Sequence, residues 1–192
     1  MNKSEVVRTF ICIEIPGSIK ERISRLQDTL RQIEAQVSWT KPENIHLTLK
    51  FLGNVEATRI ERVARALKIA ADGIAPFEVT VSGTGCFPSA RSPRVLWIGL
   101  SNVPEPLRQL YSNIEAELAR ERFEREKRKF SPHLTIGRVR APGHSAQAAE
   151  ALIAAGFEAE TFTTTEVVLM RSDLKPTGSI YTPQNVITLS EV

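Results

Sequence analysis

Asn44-Ile-His-Leu-Thr-Leu-Lys-Phe-Leu52 and, 87 residues later (133 − 46), Ser131-Pro-His-Leu-Thr-Ile-Gly-Arg-Val139 decide how this chain folds. In the first stretch Ile45, Leu47, Leu49 and Phe51 alternate with His46, Thr48 and Lys50, which is the period of a half-buried strand. The second stretch repeats it, with Leu134 and Ile136 set against His133 and Thr135. Outward from the first, Val6 to Ile15 reads as a strand, broken by Pro16-Gly17. A helix follows, faced by Ile19, Ile23, Leu26, Leu30 and Ile33. Gly53-Asn54 ends the histidine strand. A helix on Ile60, Val63 and Leu67 then runs to about Gly73, ahead of a strand around Phe77 to Val81.

Outward from the second stretch the same order returns. Arg94 to Leu100 is a strand, and Pro104 and Pro106 open a helix faced by Leu107, Leu110, Ile114 and Leu118. A helix of about Ala146 to Ala155 and a strand from Phe157 follow the His133 strand. Shifting the first half by 87 lays Ile11 on Ile98, Gly17 on Pro104 and His-Leu-Thr-Leu on His-Leu-Thr-Ile. Two copies of one β-α-β-α-β unit predict an α+β fold of two pseudo-symmetric lobes. Each lobe is expected to be a mainly antiparallel sheet with helices on its outer face and the active-site cleft between the lobes. Residues 1–192 then form a single bilobal domain: a first copy over about 6–84, a second over about 94–164, and tail strands over about 166–190. The tail strands are Glu166 to Arg171 and Ile180 to Leu189, joined by a Lys175-Pro176-Thr177-Gly178 turn. Phe87 to Pro93 is the expected inter-lobe connection.

The 192 residues, 42% of them hydrophobic, suffice for a sizeable core, which excludes disorder throughout. A formal charge of +3 and a pI near 9.0 point only weakly to polyanions. Glu14 interrupts the apolar stretch Phe10 to Ile15, so neither a signal peptide nor a membrane span is expected, and the cytoplasm is the expected location. Cys12 and Cys86 form no CxxC and read as small core or loop residues. The chain has no GxxxxGK[ST] loop and no clustered metal ligands, so neither nucleotide cofactor nor metal is expected.

Residues i and i+2 of a strand share a face about 6.5–7 Å apart, so each strand presents one imidazole and one hydroxyl. Brought together by a pseudo-twofold axis, two imidazoles and two hydroxyls surround one cleft. Phosphodiester cleavage needs that set: a general base on one side of phosphorus, a general acid on the other, and donors for the non-bridging oxygens. A lone histidine on a strand is more often a satisfied surface side chain. A repeat kept only for packing, however, has no need to keep both His and Thr. His144, after Pro142-Gly143, reads as a loop or helix-start residue.

With these residues in place the chain resembles the two-histidine phosphoesterases and, within them, the RNA 2′,3′-cyclic phosphodiesterases, also called 2′-5′ RNA ligases. The likeness runs through Arg8-Thr-Phe-Ile-Cys-Ile-Glu-Ile-Pro16, Trp39, Glu43 to Gly53, Pro93-Arg-Val-Leu-Trp97 and Phe130 to Ile136. It implies His46 as proton donor and His133 as proton acceptor, roles the residues alone leave open. It also implies Thr48 and Thr135 as phosphate-binding hydroxyls, and substrate contacts at Phe51 and Arg138. Strict alternation puts a residue five places after a histidine on the opposite face unless a bulge turns it; Arg138 is still expected on the phosphate, which a guanidinium suits, while for Phe51 the competing reading is core.

The implied activity is hydrolysis of RNA 2′,3′-cyclic phosphate ends to 2′-phosphomonoesters, with 2′-5′ ligation when a 5′-hydroxyl replaces water. The implied partner is RNA with such an end, tRNA fragments among them, acted on by a monomer. The rivals are a phosphodiesterase for a small cyclic phosphate, such as that of ADP-ribose, and a non-catalytic RNA-binding module. Arg120 to Lys129 carries six positive and three negative charges. It reads either as a solvated helix end or as a surface for RNA phosphates, and Arg91 and Arg94 are further candidates for RNA binding.

Overall fold

The computed structural model describes residues 5–141, 145–176 and 178–191; His144 and Thr177 lie outside them. In chain order the elements are β1 (Val6–Glu14), α1 (Gly17–Leu30), β2 (Val37–Trp39), β3 (His46–Glu56), α2 (Ile60–Ala71), β4 (Phe77–Phe87), β5 (Val95–Leu100), α3 (Glu105–Arg120), β6 (Leu134–Val139), α4 (Ser145–Ala155), β7 (Glu160–Thr164), β8 (Glu166–Lys175) and β9 (Gly178–Thr188). The strands form one antiparallel sheet in the order β7-β4-β5-β6-β3-β1-β8-β9, with β2 on the edge of β6. The order is symmetric about the β6/β3 junction. The 87-residue shift carries β1 onto β5, β3 onto β6 and β4 onto β8, so each half of the sheet contains one member of each of these three pairs.

The halves do not follow the chain. β4, from the first copy, pairs with β5, while its counterpart β8 pairs with β1. Phe87 to Pro93 therefore does not link the lobes as expected. It closes the β4–β5 pair within one half, where the Arg94 amide donates to the Phe87 carbonyl at 2.6 Å. Antiparallel neighbours joined by a short turn pair locally, and that local closure draws β4 out of its own copy.

The helices bury the apolar stripes that the spacing predicts. Ile19 and Ile23 on α1, Leu67 on α2, Leu107, Leu110 and Ile114 on α3, and Leu152 on α4 lose all solvent contact against Ile11, Leu96, Ile98 and Leu134 of the sheet. Each such aliphatic side chain contributes roughly 1.5–3 kcal/mol by leaving water. A smaller cluster of Phe10, Cys12, Val168 and Met170 with Tyr181 lies apart from that core. Burial there pushes the Cys12 thiol far above its ordinary range, so this cysteine packs as a small apolar residue.

Several boundaries differ from expectation: β4 runs on to Phe87, β7 begins at Glu160 and β8 reaches Lys175, and two more lie at the ends of β3 and α1. β3 runs through Gly53-Asn54 to Glu56, because Gly53 takes φ +70° and bends the strand while Thr9 and Arg8 stay paired to it. α1 ends at Leu30, and Ile33 packs on the core from the turn beyond.

Candidate active site

β3 and β6 meet through one ladder pair, Leu47 with Leu134. The antiparallel register sets His46 across from Thr135 and Thr48 across from His133, on the face opposite the two leucines. Each imidazole thus has one hydroxyl two residues along its own strand and another across from it.

Both strands then bulge at the same place, three residues after the histidine. On β3 Cys12 pairs with Thr48 and Ile11 with Lys50, leaving Leu49 extra. On β6 Trp97 pairs with Thr135 and Leu96 with Gly137, leaving Ile136 extra. A bulge resets the alternation. Lys50 accordingly turns inward and is 7% exposed, whereas Phe51 turns outward and is 64% exposed. Arg138 is likewise exposed on the cleft side. At Gly137, the counterpart of Lys50, any side chain would collide with Val37 and Trp39.

A cavity of about 520 Å³ gathers His46, Thr48, Phe51, Thr135 and Arg138, walled by Arg8 from β1 and Tyr181 from β9. His133 is not among its lining residues. Its ring packs edge-on to Phe87 at 5.1 Å and tilted against Trp97 at 6.3 Å. Arg91 and Arg94 do not line the cavity either. Val95, not Arg94, pairs with Arg138, so alternation turns Arg94 away from the cleft face. In the Arg120 to Lys129 run, α3 ends at Arg120 and the chain continues without regular structure. Arg120 pairs with Glu117 and Arg128 with Glu126. Arg122, Arg125, Lys127 and Lys129 are exposed and form no ion pair among the described residues.

His133 donates its Nδ1 hydrogen to the Ser131 carbonyl, two residues back, at 2.7 Å. For His133 this bond fixes the tautomer and leaves Nε2 for chemistry. Phe10 stacks on His46 at 4.6 Å and Tyr181 meets it edge-on at 5.3 Å. Sequence reasoning passed over both aromatics. Phe10 had a signal, since the 87-residue shift lays it on Trp97, which packs on the other histidine; Tyr181 arrives from a distant hairpin and has none.

Burial pushes His46 down to about 4, against the pull of Glu14, its partner in the β1–β3 register, and of the Asn44 carbonyl. Burial also lowers His133, with Arg138 adding to the effect and the Ser131 carbonyl opposing it. A histidine that stays neutral in the native state resists protonation that the unfolded chain accepts. His46 therefore contributes stability above 6.5 that is lost as pH falls from 6.5 toward 4, on the order of 3 kcal/mol in all. Denaturant titrations at pH 7 and pH 4 should register that loss, and it should shrink in His46→Gln.

Among the described residues no three His, Cys, Asp or Glu side chains cluster to hold a metal ion, and no helix is long and apolar enough to cross a membrane. The family described as LigT like Phosphoesterase matches the chain twice, over residues 13–97 and 98–181. A protein of Methanothermobacter thermautotrophicus named RNA 2′,3′-cyclic phosphodiesterase is 37% identical over 184 residues, 95% of this chain and 99% of that one. A protein of the same name from Thermotoga maritima is 37% identical over 180 residues, 91% of each chain. Among solved structures, E. coli LigT complexed with 3′-AMP superposes with a TM-score of 0.81 at 26% identity, covering 97% of this chain and 100% of that one. With two family repeats meeting at two histidine strands, this chain belongs to the LigT-like phosphoesterases.

Proposed function

We propose that this protein is an RNA 2′,3′-cyclic phosphodiesterase that opens the ring by two-histidine acid–base catalysis. The observation that carries the reading is the facing pair of His-x-Thr strands on one cleft, supported by relatives of that name at 37% identity over nearly the whole chain. Nε2 of His133 takes a proton from water, and the resulting hydroxide attacks phosphorus in line with the bond to the ribose 3′ oxygen. That bond breaks as His46 delivers a proton to the departing oxygen. A 2′-phosphate and a free 3′-hydroxyl remain, and the two imidazoles have exchanged protonation states. Thr48, Thr135 and Arg138 hold the non-bridging oxygens, whose charge grows in the transition state. A 5′-hydroxyl in place of water gives a 2′-5′ phosphodiester by the same proton transfers.

His46 must carry a proton to act as the acid, yet its burial favours the neutral ring. The anionic phosphate supplies the missing charge: placed beside the imidazole, it raises the ring's affinity for a proton as the substrate binds. The water-poor stack on Phe10 thus keeps the acid uncharged until there is an anion to answer it.

The test is a short oligonucleotide ending in a 2′,3′-cyclic phosphate, incubated with excess chelator. The expected product is the 2′-phosphomonoester, at a rate the chelator leaves unchanged. Activity restored only by added divalent metal would refute the acid–base assignment, and a 3′-phosphate product would reverse the orientation of the substrate. ADP-ribose cyclic phosphate, offered in parallel, separates the RNA reading from that of a small-molecule phosphodiesterase. Binding without turnover would identify a non-catalytic module.

A further inference from the structure

The bulge that turns Phe51 toward the cleft sends its neighbour Lys50 the other way, into the interior. There Lys50 Nζ lies 2.6 Å from Glu115 Oε1, with the two side chains 6% and 11% exposed. The same ammonium donates to the carbonyl of Glu124 at 2.9 Å, and Glu115 Oε2 accepts the amide of Glu126 at 3.0 Å. A charge removed from water is tolerated only when its donors and acceptors are met, and here main-chain groups of the 121–132 segment meet them.

That segment leads directly into His133. Its first residues complete the cap of α3, Arg122 donating to Ala119 and Phe123 to Leu118. Beyond Phe123, the segment is anchored by the Lys50–Glu115 pair, by the Phe130 ring, stacked on Tyr111 of α3 at 3.9 Å, and by the buried Pro132. Ser131, next in the chain, supplies the carbonyl that orients His133.

The first half of the molecule solves the same problem without charge. Gln27 of α1, fully buried, donates to Thr40 O and Ile136 O at 2.8 Å each, tying the segment ahead of His46 to the bulge of β6. There β2 pairs directly with β6, and Gly137 leaves room for Trp39 to pack. Among the described residues the second half has no strand corresponding to β2. Where β6 has Gly137, β3 has Lys50, whose pair with Glu115 makes the connection to the main chain at Glu124 and Glu126. Each histidine's approach segment is thus tied to the bulge of the opposite histidine strand.

We propose that Lys50 and Glu115 are positioning residues for His133: their buried pair fixes the 124–132 main chain and, through the Ser131 carbonyl, the orientation and tautomer of the imidazole. The effect on rate rests on His133 acting as the base, while the effect on its ring does not.

The test uses Lys50→Met, Glu115→Gln and the double variant Lys50→Met/Glu115→Leu. Turnover of the cyclic-phosphate oligonucleotide is followed together with the nitrogen NMR signals of both histidines. Replacing both members of a buried pair by apolar side chains is often neutral or stabilising, so the double variant is expected to keep its melting temperature. It should nevertheless lose kcat at least about tenfold with KM within about twofold, as expected for a base displaced from its reactive geometry. His133 should lose its single Nδ1-protonated signature and titrate differently while His46 is unchanged, and Lys50→Arg should recover part of the rate. A folded double variant with wild-type kcat and an unmoved His133 spectrum would overturn the proposal. In the unmodified protein the Glu126 amide should be slow to exchange with solvent, and rapid exchange there would overturn the proposal without any variant. If the unmodified protein fails to open the cyclic phosphate, the catalytic reading falls, and the His133 spectra still decide whether the pair positions the ring.

Discussion

Replacing His46 or His133 by Ala is expected to lower turnover of a 2′,3′-cyclic phosphate by about 10²–10⁴-fold each, the range for a positioned acid or base. The double variant should be far less impaired than the product of the single losses, because both groups serve one transition state. The wild-type rate should be bell-shaped in pH. Its acid limb follows protonation of the base and its alkaline limb deprotonation of the acid, with apparent values belonging to the pair. Both rings lie below their ordinary value in the free protein, so the maximum of kcat/KM should fall on the acid side of 6.5. The kcat profile, which reports the complex with the phosphate bound, should lie at higher pH. A folded single variant that opens the ring at near the wild-type rate would end the two-histidine mechanism.

Thr48→Ala and Thr135→Ala carry the second-largest expected effect. Each removes a hydroxyl beside an imidazole on the cavity wall, and neither threonine belongs to the apolar core. Loss of a donor to a developing oxyanion costs about 2.7–4 kcal/mol. A neutral hydroxyl sharing its load with a second hydroxyl and with Arg138 should sit at or below the lower end, roughly a hundredfold in rate. The loss should appear in kcat more than in KM, because charge on the non-bridging oxygens grows as the ring opens. Thr→Ser at either position should restore most of it. Wild-type kinetics in both alanine variants would reduce the threonines to packing.

The sequence by itself determined the elements and the duplication. Alternation and helical spacing are local consequences of side-chain direction, and burial of one face enforces them in strands and helices alike, from Ile11 on β1 to Leu169 on β8. The repeat likewise made the two His-x-Thr strands legible as a pair, since an 87-residue shift superposes them without any knowledge of contacts. Tertiary structure alone decided the rest. The exchange of β4 and β8 between copies depends on which edges a short turn and a long return can reach, and both pairings satisfy the same alternation. The bulges at Leu49 and Ile136 depend on the neighbouring strands: one extra residue is invisible in a run that remains apolar on either side, yet it turns Phe51 and Arg138 to the cleft and Lys50 to the interior. The packing of His46 against Phe10 and Tyr181, and the burial that keeps its ring neutral, join β1 to a hairpin more than a hundred residues downstream (181 − 46 = 135). Periodicity records which way a side chain faces; what it meets there is set by chain segments that no local pattern encodes.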